Sequence, residues 1–126
     1  MTIRLLIVDD TEHVRTMLVD ILGLHGFEIA GQATDGLDAV RKAIEVDPDV
    51  VVMDLKMPGM DGLEATRHIR EGRPDQQVIL YSAYIDEDVE ERAREAGVLV
   101  CIPKMSGVEA LAREISAVAL DLGGAR

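Results

Sequence analysis

Aromatic side chains are almost missing from this chain: they make up 2% of its 126 residues, and none is tryptophan. Any core must therefore be built from Val, Leu, Ile, Met and Ala. Cysteine is reduced to Cys101 alone, which excludes an internal disulfide and fits a reducing compartment. Long apolar runs are absent too. The run Leu5-Leu6-Ile7-Val8 stops at Asp9-Asp10 and is too short for a signal-peptide core or a membrane span. Cytoplasm is the default location. Basic residues are outnumbered, with 13 Lys and Arg against 24 Asp and Glu, for a net charge of -11. Such a surface repels phosphate backbones and anionic lipids, so this chain is expected to bind neither nucleic acid nor membrane directly.

What is present is a regular alternation. Ile3 to Val8 is an apolar run, followed by Val14, Met17, Leu18, Ile21 and Leu22 at helical spacing, closed by Gly23 and Gly26. Phe27 to Ala33 reads as a strand, and Leu37, Val40 and Ile44 mark a helix that ends before Pro48. Val50 to Met53 is an unbroken apolar run, as expected of a strand buried on both faces. A helix through Leu63, Ala65, Thr66 and Ile69 follows, stopped by Gly72 and Pro74. Val78 to Ser82 is the fourth strand, Asp86 to Ala96 a helix whose apolar face is only Val89, Ala93 and Ala96, and Val98 to Ile102 the fifth strand. Val108, Leu111, Ala112, Ile115, Val118, Ala119 and Leu122 form the last helix. Strict alternation predicts an α/β fold: a doubly wound, five-stranded parallel sheet of flavodoxin-like type. The domain is expected over 1–122, with 123–126 a tail or the start of a linker.

In a parallel sheet all strands point one way, so the residues that end them gather on one edge, where open α/β sheets place their ligands. Here these are Asp9 and Asp10, Asp54, Ser82 and Lys104. Three neighbouring carboxylates repel one another, and a hard cation held by oxygen ligands, Mg²⁺ or Mn²⁺, relieves that repulsion. Lys104 supplies a charge that can pair Asp54 at rest and a phosphoryl oxygen afterwards, and Ser82 a hydroxyl donor. The chemistry this suggests is in-line phosphoryl transfer to the Asp54 carboxylate. Each residue also has a plainer reading. Asp54 can start a turn, Asp9, Asp10 and Thr11 can cap a helix, Ser82 can be a loop residue and Lys104 a solvated charge. Their joint placement on one edge is what those readings explain poorly.

The acid pair Asp9-Asp10, the run Met53-Asp54-Leu55-Lys56-Met57-Pro58-Gly59-Met60-Asp61-Gly62, Ser82 followed by Ala83, and Lys104 together resemble a receiver domain of a two-component response regulator over essentially the whole chain. The resemblance implies that Asp54 accepts a phosphoryl group from a phosphohistidine on a sensor histidine kinase. It implies that Asp10 binds the metal directly, Asp9 through water, and that the backbone carbonyl of Lys56 completes the protein ligands. It further implies a signalling phosphoacceptor rather than an enzyme, one that assists its own phosphorylation and dephosphorylation. Such a switch acts on a downstream partner or a DNA-binding output segment, with homodimerisation on phosphorylation possible. Departures are visible. Met105 stands after Lys104 where the family commonly has a proline reached through a cis bond, so a trans bond is expected. The family's switch aromatic falls on Cys101, so the readout is expected to pass through Tyr84 and the 86–96 helix, with Cys101 a passive core residue. A dehalogenase-type phosphatase would need a second Asp where Lys56 stands. A nucleotide-binding Rossmann or P-loop domain would need glycines where Asp9-Asp10-Thr11-Glu12 stands. A receiver that works without phosphorylation stays open as an alternative.

Overall fold

The structure, a computed structural model, describes residues 2–125, without the side chains of Ala119 and of 121–125. Strands β1 (Arg4–Val8), β2 (Glu28–Ala33), β3 (Val50–Met53), β4 (Gln77–Ser82) and β5 (Val100–Pro103) alternate with helices α1 (Glu12–Leu24), α2 (Gly36–Val46), α3 (Gly62–Gly72), α4 (Glu87–Ala96) and α5 (Val108–Ala125). A 3-10 turn, Lys104–Ser106, joins β5 to α5. All four strand pairings are parallel, in the order β2-β1-β3-β4-β5. This is the doubly wound, flavodoxin-like sheet that the alternation predicts.

Successive strand residues point to opposite faces, so the apolar runs feed two cores. Leu6, Val8, Val51, Met53, Val78 and Leu80 pack with α2, α3 and α4. Leu5, Ile7, Val50, Val52, Ile79 and Tyr81 pack with Leu18 and Leu22 of α1 and Leu111 and Ile115 of α5. Both faces being covered is why the strands show no polar alternation. Side-chain caps start three helices: Asp35 accepts from Asp38 N–H, Asp61 from Leu63 and Glu64 N–H, and Asp86 from Val89 N–H.

Several expectations shift. In α2 two of the three residues that mark the helix face solvent: Leu37 and Ile44 are 71% and 67% exposed, whereas Val40 packs against the core beside buried Gly36, Ala39 and Ala43. Small residues line the inner face because the approach is close; a Cβ on Gly36 would lie 2.7 Å from the Met60 carbonyl. β5 begins at Val100 rather than Val98, because α4 closes on left-handed Gly97 and Val98 N–H still donates to Ala93 O. Gly23 lies inside α1, and the closing turn falls on His25 and Gly26. Cys101 is half-buried at the margin of a core rather than inside it. As expected, the Lys104–Met105 bond is trans, like every peptide bond among the described residues. The boundary expected at Leu122 falls within α5; the side chains of Ala119 and Leu122, and Arg126, lie outside the described residues.

Candidate functional site

The parallel sheet brings the ends of β1, β3, β4 and β5 to one edge, which places Asp9, Asp10, Asp54, Ser82 and Lys104 along it. Asp54 follows β3; its N–H donates to Val8 O at 3.0 Å, and its Oδ1 accepts from Leu55 N–H at 2.9 Å. Asp9 follows β1 and is buried. Its N–H reaches Ala33 O, its Oδ1 accepts from Thr11 N–H at 2.9 Å, and its Oδ2 accepts from Lys104 Nζ at 2.8 Å. Lys104 Nζ also lies 3.5 Å from Asp54 Oδ2. Lys104 therefore sits closer to Asp9 than to Asp54, its expected resting partner. Asp10 is exposed, and among the described residues its carboxylate has no hydrogen bond or ion pair. Nor do the acids cap α1: Thr11 is its first flanking residue, and no side-chain cap forms there.

One carboxylate oxygen from each of Asp9, Asp10 and Asp54 lies within 4.8 Å of the others. The electrostatics follow from that crowding. Burial raises the Asp54 carboxyl above the ordinary range, and the Asp9 and Asp10 charges add to it, against Lys104 and the Leu55 N–H. Burial works against the Lys104 ammonium, but its bond to Asp9 and the charges of Asp54 and Asp9 outweigh it, and its pKa is raised. An all-oxygen donor set with one unpartnered carboxylate fits a hard divalent cation.

Ser82 ends β4 and is buried, its Oγ accepting from Tyr84 N–H at 3.2 Å. Tyr84 is exposed, and Lys56 Nζ lies 4.4 Å from its ring centroid. The Lys56 side chain is thus engaged with the β4–α4 loop.

Some contributors escape sequence reasoning. Gly62 enters the sequence reading only as the end of the run after Asp54, yet a Cβ there would meet the Asp54 carbonyl at 2.0 Å, so only glycine lets α3 start against that residue. Gly62 N–H donates to Leu55 O at 2.8 Å, closing the loop. Arg15, which no sequence pattern singles out, donates through Nη1 to Asp9 O at 2.8 Å and through Nε to Gln32 Oε1 at 3.2 Å. A glycine at a helix start beside an acid is a readable signal. An arginine that serves a backbone carbonyl leaves none.

The profile of the family described as response regulator receiver domain matches residues 5–116. The chain belongs to this family. The receiver is similar to the transcriptional regulatory protein LiaR of Bacillus subtilis, 41% identical over 116 residues that cover 91% of this chain and 55% of LiaR. It spans about half the length of the curated relatives it matches first. A DNA-binding response regulator of the LuxR family from Staphylococcus aureus superposes with a TM-score of 0.86 at 33% identity, covering 92% of this chain and 98% of that one. A CheX-CheY-BeF3-Mg²⁺ complex from Borrelia burgdorferi gives 0.82 at 28% identity, covering 95% and 88%. The receiver is therefore a signalling domain of two-component response regulators. Among its described residues no helix is long and apolar enough to cross a membrane.

Proposed function

We propose that the receiver, over 1–122, accepts one phosphoryl group on Asp54 from the phosphohistidine of a sensor histidine kinase, with Mg²⁺ (or Mn²⁺) held by Asp9, Asp10, Asp54 and the Lys56 carbonyl. The observation that carries this is the convergence of the Asp9, Asp10 and Asp54 oxygens within 4.8 Å, with Lys104 bridging Asp9 and Asp54. The Asp54 carboxylate attacks phosphorus; its oxygen gains the bond as the P–N bond breaks, and the electron pair leaves with the donor imidazole. Burial and the neighbouring acids raise the basicity of that carboxylate, which favours attack. A bound divalent cation supplies charge neutralisation for the transferring oxygens. Lys104, protonated at neutral pH, turns from Asp54 to a phosphoryl oxygen while Asp9 keeps it in place. Ser82 donates its hydroxyl to another. In this role the domain is a phosphoacceptor that assists its own chemistry.

The readout passes through Tyr84. Turning Ser82 toward a phosphoryl group breaks the bond it accepts from Tyr84 N–H, and α4 beyond buries only Val89, Ala93 and Ala96, with a half-exposed Arg92–Asp61 ion pair at 3.8 Å beside them. Downstream, the switch drives homodimerisation or a partner in the cytoplasm. The charge of -11 argues against nucleic-acid contact by these 126 residues themselves.

Incubation with acetyl phosphate, with and without Mg²⁺, followed by intact-mass measurement tests the acceptor. The expected result is a single Mg²⁺-dependent phosphoryl addition, lost in Asp54→Ala; a full gain in that variant overturns the assignment. In the phosphorylated protein, Tyr84→Ala should blunt phosphorylation-dependent dimerisation or partner binding and Cys101→Ala should keep it, as read by ultracentrifugation or partner titration. The opposite pattern overturns the readout.

A further inference from the structure

The three acids of the metal site are not held alike. Asp54 and Asp9 have their carboxylates fixed by N–H groups and Lys104, as described above. Asp10, the ligand with no partner for its carboxylate, is aimed only by its backbone. The peptide that leads into Asp10 ends in the carbonyl oxygen of Asp9, and that oxygen is held by Arg15 Nη1 at 2.8 Å.

We propose that Arg15 is a positioning residue of the divalent-metal site: by holding the Asp9–Asp10 peptide it aims the Asp10 carboxylate at the ion. The inference rests on the metal site proposed above. Arg15 is itself braced. Its own N–H donates to Thr11 O at 3.0 Å in the first turn of α1, and its Nε donates to Gln32 Oε1 at 3.2 Å on β2. The Gln32 carbonyl in turn accepts from Lys42 Nζ of α2. The planar guanidinium fork thus ties α1 and β2 to one peptide plane, which a flexible ammonium cannot reproduce. Outer contacts that orient ligands typically matter about 10–100-fold in metal affinity.

Charge and positioning predict opposite signs. A cation beside a cation site repels the ion, so if Arg15 acted by charge alone its removal would tighten Mg²⁺ binding. If it acts by positioning, removal weakens binding. Titration calorimetry with Mg²⁺ should show Arg15→Ala weakened by about tenfold. Arg15→Lys, which keeps the charge but not the fork, should recover only part of the affinity, and metal-free melting should stay at the wild-type temperature. Unchanged or tighter binding in Arg15→Ala overturns the inference. Should Arg15→Ala melt early, Gln32→Ala decides: a smaller weakening of Mg²⁺ binding with wild-type melting supports positioning, and wild-type affinity overturns it. A wild type that takes no Mg²⁺, or an Asp10→Asn that binds it normally, instead overturns the metal site on which the inference stands.

Discussion

At the amino edge of the sheet acids meet cations and carbonyls meet donors; at the carboxyl edge acids meet one another. Arg4 at the amino edge donates to Val46 O at 2.7 Å, to Asp47 O at 2.8 Å and to Glu28 at 2.8 Å, while its N–H donates to Asp49 Oδ2 at 2.9 Å. Arg73 pairs with Asp47 and holds that carboxyl below the ordinary range. Buried Gln76 donates to the carbonyls of Pro48, Asp49 and Gln77 at 3.2, 3.3 and 3.2 Å. At the other edge Lys104 is, among the described residues, the one cation paired within the acid cluster, and Asp54 is pushed up instead of down. The same residue types are used for opposite ends. One edge is satisfied and locks the fold; at the other the acids stay in mutual conflict, the conflict that the proposed ion and phosphoryl group would relieve.

Breaking the satisfied edge should produce the larger effect. Gln76→Ala leaves buried carbonyls without their donor, and we expect a loss of about 2 kcal/mol in urea unfolding followed by circular dichroism. Mg²⁺ affinity should stay at the wild-type value, because the two edges lie at opposite ends of the strands. A parallel loss of Mg²⁺ binding would erase the contrast.

Relieving the unsatisfied edge should act in the other direction and more weakly. The folded-state pKa of Asp54 lies above the ordinary 3.8, so the fold binds that proton more tightly than the unfolded chain does. Its contribution is favourable at low pH and is lost as pH rises through the raised value. Asp54→Asn, which still accepts from Leu55 N–H, should therefore raise the metal-free melting temperature by a few degrees at neutral pH. That gain should shrink on acidification and vanish below about 3.8. A gain that persists unchanged at acid pH would mean that the acids are not in conflict.

The legible parts of the molecule were those with a local cause. Val50 to Met53 must be a strand buried on both faces because nothing polar interrupts it, and Asp54 must then stand at its end. The acids and Lys104 could be placed because each follows a strand and parallel strands share an edge. The inner face of α2 was hidden because tight packing there selects Ala39 and Ala43 over the larger Leu37 and Ile44. Arg15 and Gln76 were hidden for a related reason. Both serve backbone carbonyls contributed by other parts of the chain, and a carbonyl carries no residue identity.

The scarcity of aromatic rings has an optical consequence. With no tryptophan and two tyrosines, near-ultraviolet absorption above the phenylalanine band comes from Tyr81 and Tyr84. Tyr81 is buried in β4 and Tyr84 exposed on the loop beyond, and Ser82 stands between them with Ala83. The protein's intrinsic fluorophores therefore sit beside the hydroxyl proposed to turn toward the phosphoryl group. Their emission and circular dichroism view this one corner of the molecule against a dark background, with no label added.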